Sequence, residues 1–249
     1  MIVNQIVQGS GGGGWTVDEI AENYKIEGDI TISLTAGKYL RAYCFSKTKI
    51  TSVTAPNVTR ASAKGNYFAD CTSLVSASLP SLTETSTMAM MSIFTNCSNL
   101  EAVDMPYAWP RDYAFDGCTK LKKYVNKISS GSNINIGAGA FRGCRALEVL
   151  DFTHVNQIAA TWAYDNSNNL TTLILRRTDA VVPCNNANNL PPVFRNNGAG
   201  GTVYVPNDLI NSYKTASGWS TAYGYGTTTF TAIEGSAYEH YYADGTAVS

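Results

Sequence analysis

A short motif recurs six times along this chain: an aromatic residue, a cysteine or small polar residue three positions later, and then an aliphatic residue. The aromatic residues are Phe45, Phe68, Phe94, Phe115, Phe141 and Tyr164, which are separated by 23, 26, 21, 26 and 23 positions. The second position holds Thr48, Cys71, Cys97, Cys118, Cys144 and Ser167, and the first copy is one residue shorter. A period of this length is typical of leucine-rich solenoids. The motif therefore predicts stacked coils with the aromatic residues in one interior file.

Each copy continues into a short run of alternating apolar residues, such as Leu100, Val103 and Met105. This alternation indicates a strand with one buried face. A proline follows the run directly in three copies, at Pro56, Pro80 and Pro106, where a residue without an amide hydrogen ends a strand. One unit alone cannot bury its apolar face, so the units must stack.

The repeat resembles that of the BspA-like bacterial leucine-rich repeat proteins, whose units read A-F-x-x-C-x-x-L. This sequence stands here at Ala114 to Leu121 and at Ala140 to Leu147. A second resemblance covers residues 203–214, with Trp219 and residues 230–234 after it, and is similar to the strand-helix-strand segment that closes such solenoids. The resemblance implies a curved solenoid used for surface recognition or adhesion.

We expect a mostly β or α/β-type repeat, a right-handed leucine-rich repeat solenoid of about six to seven coils with a cap at each end. The expected segments are a leader with a Gly-rich linker (1–14), an N-terminal cap (15–38), the solenoid (39–200), a C-terminal strand-helix-strand cap (201–235) and a tail (236–249). The leader is strand-like and free to dock elsewhere, and the register of residues 178–200 stays open.

Both caps carry helix signals. In the N-terminal cap Thr16 or Asp18 starts a short helix that runs through Tyr24, and a strand follows at residues 30–34. In the C-terminal cap the side chain of Asn207 or Asp208 is expected to accept a hydrogen bond from the first free amides of a helix. That helix runs to about Ser217, with Gly218 as its stop.

Composition excludes several classes of function. The net charge is −1, from 18 basic and 19 acidic residues, so no overall attraction to nucleic acid is expected. No stretch approaches the roughly 18 apolar residues of a spanning helix, so no membrane insertion is expected. Residues 1–8 lack the basic start and apolar centre of a secretion signal. The expected location is extracellular, at a cell surface, or on a phage virion.

Residues capable of catalysis or metal binding are sparse or badly spaced. The six cysteines lack the short pairwise spacing of a zinc site, and we interpret them as reduced, small core residues. A Ser-His-Asp or Cys-His mechanism needs histidine as its proton carrier, and nothing near His154 or His240 in sequence marks either one as held by a carboxylate in a pocket. The acids Asp18, Glu19, Glu22 and Glu27 fall in or beside the cap helix and are expected to be solvated. We therefore predict no catalytic residue, no metal and no cofactor.

The strand residues between the apolar positions are expected to face outward and to build the binding face. They form two rows, Ser52, Ser76, Ala102, Lys123, Val149 and Thr172, and beside them Thr54, Ser78, Asp104, Val125, Asp151 and Ile174. From these rows and from aromatic residues of the connecting segments we select six partner-binding candidates: Lys123, Asp104, Asp151, Tyr107, Trp109 and Trp162. The predicted function is non-enzymatic surface recognition or adhesion, with a protein or glycan partner of unknown identity. The alternative is a receptor-binding or structural component of a phage tail or baseplate.

Overall fold

The computed structural model describes residues 4–7, 27–33, 39–40, 42–61, 65–83, 90–129, 131, 134–158, 163–184, 200–219 and 228–248. Within these ranges the chain is mostly β-structure with little helix. The strands are β1 (Asn4–Val7), β2 (Glu27–Ser33), β3 (Lys49–Thr54), β4 (Ser76–Ser78), β5 (Ala102–Asp104), β6 (Lys123–Asn126), β7 (Asn135–Ile136), β8 (Val149–Phe152), β9 (Gln157–Ile158), β10 (Thr172–Leu175), β11 (Gly201–Val205) and β12 (Thr228–Ala232). A 3-10 helix at Asn207–Leu209 leads into the short helix α1, Ile210–Thr215.

These strands form three parallel sheets. The first has the order β1-β2-β3-β4-β5, the second has the order β12-β11-β10-β8-β6, and β7 pairs with β9. Within each large sheet, from β3 onward, equivalent strand positions of neighbouring coils face one another, as in Val53 with Ala77 and Leu150 with Leu173. The prediction of a leucine-rich repeat solenoid is confirmed, with about six turns.

The two large sheets meet at β5 and β6, which lie on consecutive coils but form no ladder with each other. The coils stay joined there, since the Lys127 amide donates to the Pro106 carbonyl oxygen at 2.7 Å. One hydrophobic core runs without interruption from Ile30 to Trp219. The sheet is therefore divided while the core is continuous.

The aromatic residues of the motif form the predicted interior file. Consecutive rings from Phe45 to Phe141 are stacked, with centroids 5.3 to 5.5 Å apart and interplanar angles of 8° to 18°. Tyr164 continues the file at 6.1 Å from Phe141. All six are buried. Offset stacking of this kind adds to the stabilisation that burial alone provides.

The turn around each aromatic residue has the same backbone conformation from coil to coil. Residues two before and two after the aromatic have positive φ, namely Tyr43 and Lys47, Asn66 and Asp70, Ser92 and Asn96, Tyr113 and Gly117, Gly139 and Gly143, and also Asn166. This geometry points amide N–H groups along the solenoid axis. In the second coil Asn66, Phe68 and Asp70 donate to carbonyls of the next coil at 3.1, 3.0 and 2.7 Å. The turns thus form a second main-chain ladder beside the sheets.

The cysteine position of the motif also links neighbouring coils. Each side chain donates to the carbonyl of the aromatic residue one coil earlier: Cys71 to Phe45 at 2.9 Å, Cys97 to Phe68 at 3.0 Å, Cys118 to Phe94 at 3.1 Å, Cys144 to Phe115 at 3.1 Å, and Ser167 to Phe141 at 2.6 Å. All six cysteines of the chain are described, and they are buried and reduced. The position therefore requires a small donor, and not only the small filler that the sequence suggested.

The N-terminal segment extends the first sheet. β1, which belongs to the expected leader, pairs in parallel with β2 from Asn4 opposite Ile30 to Val7 opposite Ser33. β2 corresponds to the strand predicted at residues 30–34. The helix predicted to start at Thr16 or Asp18 lies outside the described residues. The leader strand thus finds its partner within the chain.

The C-terminal cap has the expected strand-helix-strand order, β11, α1 and β12. Tyr213 of α1 anchors the helix to the preceding coil, because its Oη accepts a hydrogen bond from the Val182 amide at 3.0 Å. Trp219 Nε1 donates to the Val182 carbonyl at 2.7 Å, and Phe230 packs against both aromatic rings. Val182 therefore lies in the coil against which the cap packs, and residues 185–199 lie outside the described residues.

The predicted side-chain cap of this helix is wrong. Neither Asn207 nor Asp208 accepts a hydrogen bond from the helix start; instead the Asn207 amide donates to a Glu234 carboxylate oxygen at 2.9 Å. A carboxylate just beyond β12 thus satisfies one of the free amides that a local side chain usually satisfies. The helix ends at Thr215, and Gly218 has the positive φ expected of a stop.

Candidate recognition surface

The outward side of the first sheet is accessible to solvent. We call the outward side of β3, β4 and β5 the open face. Thr54 and Asp104 are exposed there, Ser52 and Ser78 are half-buried, and Ser78 Oγ donates to Asp104 Oδ2 at 3.2 Å. At or just before the start of these strands lie exposed residues of mixed character, Lys49, Val75, Glu101 and Ala102 among them. The open face is thus a mostly polar strip, with the exposed apolar side chains of Val75 and Ala102 at its margin.

The outward side of the second sheet is partly covered, and here the predicted exposure of the second row is wrong. Val125, Asp151 and Ile174 point away from the core, as expected, yet they are 9%, 0% and 0% exposed. Residues beyond 236, assigned from sequence to a tail, lie against this side of the sheet. We call residues 240–248 the C-terminal hairpin. A main-chain pairing between Tyr241 and Ala247 closes it.

Asp151 is the centre of this covered region. Its two carboxylate oxygens accept Nε and Nη2 of Arg176, both at 2.8 Å, and Oδ2 also accepts the Ala243 amide at 2.9 Å. The side chains of Asp151 and Arg176 are 0% and 7% exposed. Arg176 in turn donates to the carbonyls of Tyr238 and Tyr241 at 2.7 and 3.0 Å. A buried carboxylate is tolerated here because it is paired and fully hydrogen-bonded.

Tyr242 is the one buried residue of the hairpin, at 6% exposed. Its ring lies under two cations, with the Arg176 guanidinium 4.8 Å and the Lys127 Nζ 5.1 Å from the centroid. Its hydroxyl lies 3.3 Å from Thr153 Oγ1. Lys127 also pairs with Asp244 at 2.9 Å.

Sequence reasoning missed the three residues that surround Tyr242, although a signal was present. Lys127, Thr153 and Arg176 directly follow β6, β8 and β10. This is the repeat position that holds Pro56, Pro80 and Pro106 in earlier coils. The position therefore changes from proline to polar residues in the coils that carry the hairpin.

The remaining predicted partner residues are placed differently from one another. Lys123 is exposed and lies beside the hairpin, with Nζ 3.4 Å from the Ala243 carbonyl. Tyr107 is 46% exposed, next to the open face along the chain. Trp109 is only 5% exposed and has the Arg111 guanidinium 5.3 Å from its ring, so it packs within the fold. Trp162 lies outside the described residues.

A further polar cluster lies at the corner of the coils after the aromatic file. Arg142 binds Asp116 through two nitrogens, with Nε 2.9 Å from Oδ1, and its guanidinium stands 5.1 Å from the Tyr113 ring centroid. The hydrogen bonds that Arg142 donates to Asp116 raise the pKa of the Arg142 guanidinium. An open groove beside this pair is lined by Arg145, Asp165 and two glycines of the repeat. The cluster ties two coils together and borders the groove.

The groups considered for catalysis or metal binding lie as follows in the described residues. No three His, Cys, Asp or Glu side chains among them are grouped so that they could hold a metal ion. His154 Nε2 lies 3.4 Å from the side-chain nitrogen of Asn156. Burial raises the pKa of the Cys97 and Cys118 thiols well above the ordinary value, so both stay protonated at neutral pH. Glu27 starts β2 and is exposed, whereas Asp18, Glu19 and Glu22 lie outside the described residues.

Comparison with known protein families identifies one match. The model of the BspA type leucine rich repeat region fits residues 38–171, more than half of the chain, in six copies. A search of curated proteins found no match. No helix in the described residues has the length and apolar character needed to cross a membrane.

Proposed function

The chain belongs to the BspA-type leucine-rich repeat family, whose repeats suggest protein binding or surface recognition, and we propose that it is a non-enzymatic surface-recognition protein. Its partner is a protein or a glycan, and the open face of β3, β4 and β5 makes the contact. This proposal assigns the binding role to the first half of the strand surface rather than to its whole length.

The observation that carries the proposal is the contrast between the two sheets. Equivalent outward positions are exposed at Thr54 and Asp104 but buried at Asp151 and Ile174. A partner that approaches the strands therefore meets the open face first. Solenoids commonly bind along such a stacked strand surface because each coil repeats the same contact.

The chemistry of the open face supports a specific but modest contact. Ser52 and Thr51 both donate to Asp29 Oδ1, at 2.7 and 2.8 Å, so these hydroxyls are held in fixed orientations. Hydroxyl and carboxylate groups offer hydrogen bonds to sugars or to peptide groups, while Val75, 42% exposed, offers an apolar contact. Tyr107 at the margin supplies an aromatic side chain of the kind enriched at recognition surfaces.

Binding rather than catalysis is supported by the state of the nucleophiles. The thiols of the cysteine column are hydrogen-bond donors inside the core, with their pKa values raised by burial. A protonated and inaccessible thiol is a poor nucleophile. The column therefore has a structural role.

Screening the protein against glycan arrays and extracellular-matrix protein arrays tests the proposal, with Asp104→Lys and Tyr107→Ala as test variants. Asp208→Lys is the matched control, since Asp208 is exposed in the C-terminal cap, away from the open face. We expect each test variant to lower the affinity for any array ligand at least about tenfold, the loss typical of an interface residue worth more than 1 kcal/mol. Equal binding by Asp104→Lys, Tyr107→Ala and Asp208→Lys contradicts the proposal.

The identity of the ligand distinguishes two biological roles for the open face. A host matrix protein or host glycan supports adhesion at a bacterial surface. A bacterial envelope polysaccharide favours instead a receptor-binding component of a phage tail or baseplate.

A further inference from the structure

The C-terminal hairpin is a compact turn with its own hydrogen bonds. The Tyr242 amide donates to the Thr246 carbonyl at 2.8 Å, and the Gly245 amide donates to the Tyr242 carbonyl at 2.8 Å. Thr246 donates through its amide and its hydroxyl to Asp244 Oδ1, at 2.9 and 2.6 Å. These bonds lie within the turn and hold its conformation.

The solenoid offers this turn a matching set of groups drawn from consecutive coils. Lys127 and Arg176 lie over the Tyr242 ring, and Lys127 also binds Asp244. Asp151 accepts a main-chain amide of the turn, and Arg176 donates to main-chain carbonyls beside it. Each of these side chains therefore contacts an aromatic ring, a carboxylate or a main-chain group. A turn from another protein can present the same three features.

Apart from the Tyr242 ring and the buried Asp151 carboxylate, the hairpin is attached through polar contacts near solvent. Of its residues only Tyr242 is buried, and Tyr241 is 55% exposed. The side chains of Lys127 and Asp244 are 18% and 29% exposed, a range in which ion pairs are weakened by salt. By contrast, the aromatic file lies in the continuous core. A contact of this kind can open locally while the solenoid stays folded.

We propose that the outward side of β6, β8 and β10 is a second peptide-binding site, and that the C-terminal hairpin is its intramolecular occupant. The partner that this site fits is a protein segment in a tight turn, with an aromatic side chain two residues before a carboxylate, as Tyr242 stands before Asp244. Such a partner displaces the hairpin, and the strand surface then extends from the open face into the second sheet. This site is independent of whether the open face binds the ligand proposed above.

A direct binding measurement tests the site in the full-length chain. The probe is a fluorescently labelled synthetic peptide with the sequence of residues 238–248, followed by fluorescence anisotropy. The double variant Tyr242→Ala/Asp244→Ala weakens the hairpin and should bind the probe at least about tenfold more tightly than the native chain, whose site is mostly occupied. The variant Tyr107→Ala/Asp104→Ala removes the same two residue types from the open face and should bind the probe as the native chain does.

A probe peptide with alanine in place of both its tyrosine at 242 and its aspartate at 244 should lose at least about tenfold in affinity for the hairpin variant. The proposal is overturned if the hairpin variant does not bind the native-sequence probe, if the native chain binds it as tightly, or if the alanine probe binds equally well.

Hydrogen exchange of the native chain gives a second test that does not depend on any variant. Amides of residues 240–248 should exchange at least about tenfold faster than those of the aromatic file, and faster still in about 1 M salt or with excess unlabelled peptide. The hairpin amides could instead exchange only as fast as those of the aromatic file, at a rate that salt and peptide do not change. This result would mean that the hairpin opens only when the whole protein unfolds, and it would overturn the proposal.

Discussion

The Sγ atom of Cys97 donates a hydrogen bond to the carbonyl oxygen of Phe68, 3.0 Å away on the preceding coil. The same carbonyl also accepts the Cys71 amide of its own coil, at 3.2 Å. One oxygen atom therefore closes the turn of one coil and binds the next. This arrangement explains why the position holds Cys, Ser or Thr, which share a short side chain with a donor.

Replacement of Cys97 tests the role of this donor. We expect Cys97→Ala to lower the free energy of unfolding by about 1–3 kcal/mol, because it removes both the hydrogen bond and buried volume. Cys97→Ser keeps a donor, as Ser167 does at 2.6 Å, and should lose less. Chemical denaturation measures both, with the exposed Lys120→Ala as control. A serine variant as unstable as the alanine variant contradicts the donor role.

Tyr164 and Tyr124 form a matched pair for hydroxyl removal. The Tyr164 hydroxyl is buried without a hydrogen-bond partner among the described residues, and burial raises its pKa well above the ordinary value. Tyr164→Phe should therefore raise the free energy of unfolding by up to about 1–2 kcal/mol. The Tyr124 hydroxyl donates to the Ala108 carbonyl at 2.6 Å, so Tyr124→Phe should lower it by about 1 kcal/mol. Thermal or chemical unfolding measures both changes. If the two variants change the free energy of unfolding in the same direction, the hydrogen-bonding states described for the two hydroxyls are wrong.

Gly137 is required by the close approach of two coils. A Cβ atom there would lie 2.2 Å from the Asp112 amide nitrogen. Because that nitrogen belongs to the main chain, it cannot move aside as a flexible side chain could. Gly137→Ala should cost about 3 kcal/mol or more through overpacking. At Gly235, φ is +77° and no atom lies within 4 Å of the added Cβ, so Gly235→Ala should cost only about 1–2 kcal/mol of backbone strain. If chemical denaturation finds equal losses, the coil spacing described here is wrong.

The buried thiols predict a loss of stability at alkaline pH. Burial raises the pKa of Cys184 to about 12, and it also raises the pKa values of Cys71, Cys97, Cys118 and Cys144 above the ordinary 9.0. The folded chain thus retains these protons after the unfolded chain has lost them. The stabilisation is complete below pH 9 and is lost as pH rises from 9 toward the raised values.

Denaturation curves between about pH 8 and about pH 10.5 should show a free energy of unfolding that falls by up to about 1.4 kcal/mol per pH unit for each such thiol. The Cys118→Ala variant should show a shallower fall than the native chain. A free energy of unfolding that is flat across this range contradicts the raised pKa values.

Repetition made the interior of this molecule predictable from its sequence. Six copies in register place Phe94 above Phe68 because any other stacking would expose the apolar face of a coil. A pattern shared by six copies does not describe the residues at which one copy departs from it. Asn126, which stands at an apolar position of the repeat, is fully buried and donates to the Ala108 carbonyl at 3.0 Å. A connecting segment of irregular length supplies that partner, and no repeat pattern contains it.

The covered half of the candidate surface was not predictable from alternation. Alternation gives the direction of the Asp151 side chain correctly, but its exposure depends on residues some 90 positions later in the chain. Residues 236–248 have no periodicity, and their position is set by single contacts such as Tyr242 with Arg176. The local sign that these coils differ is the repeat position after each strand, which holds Lys127, Thr153 and Arg176 here and proline in earlier coils.

The central claim is that the aromatic residues form one file that crosses the division between the two sheets. A double-mutant cycle on Phe94 and Phe115, whose rings stack at 5.5 Å across that division, tests it most directly. With Phe→Leu at each site, we predict an interaction energy of about 0.5–1.5 kcal/mol, and none within about 0.5 kcal/mol for the distant pair Phe45 and Phe141. An interaction energy of zero between Phe94 and Phe115, or equal values for the two pairs, would contradict the account.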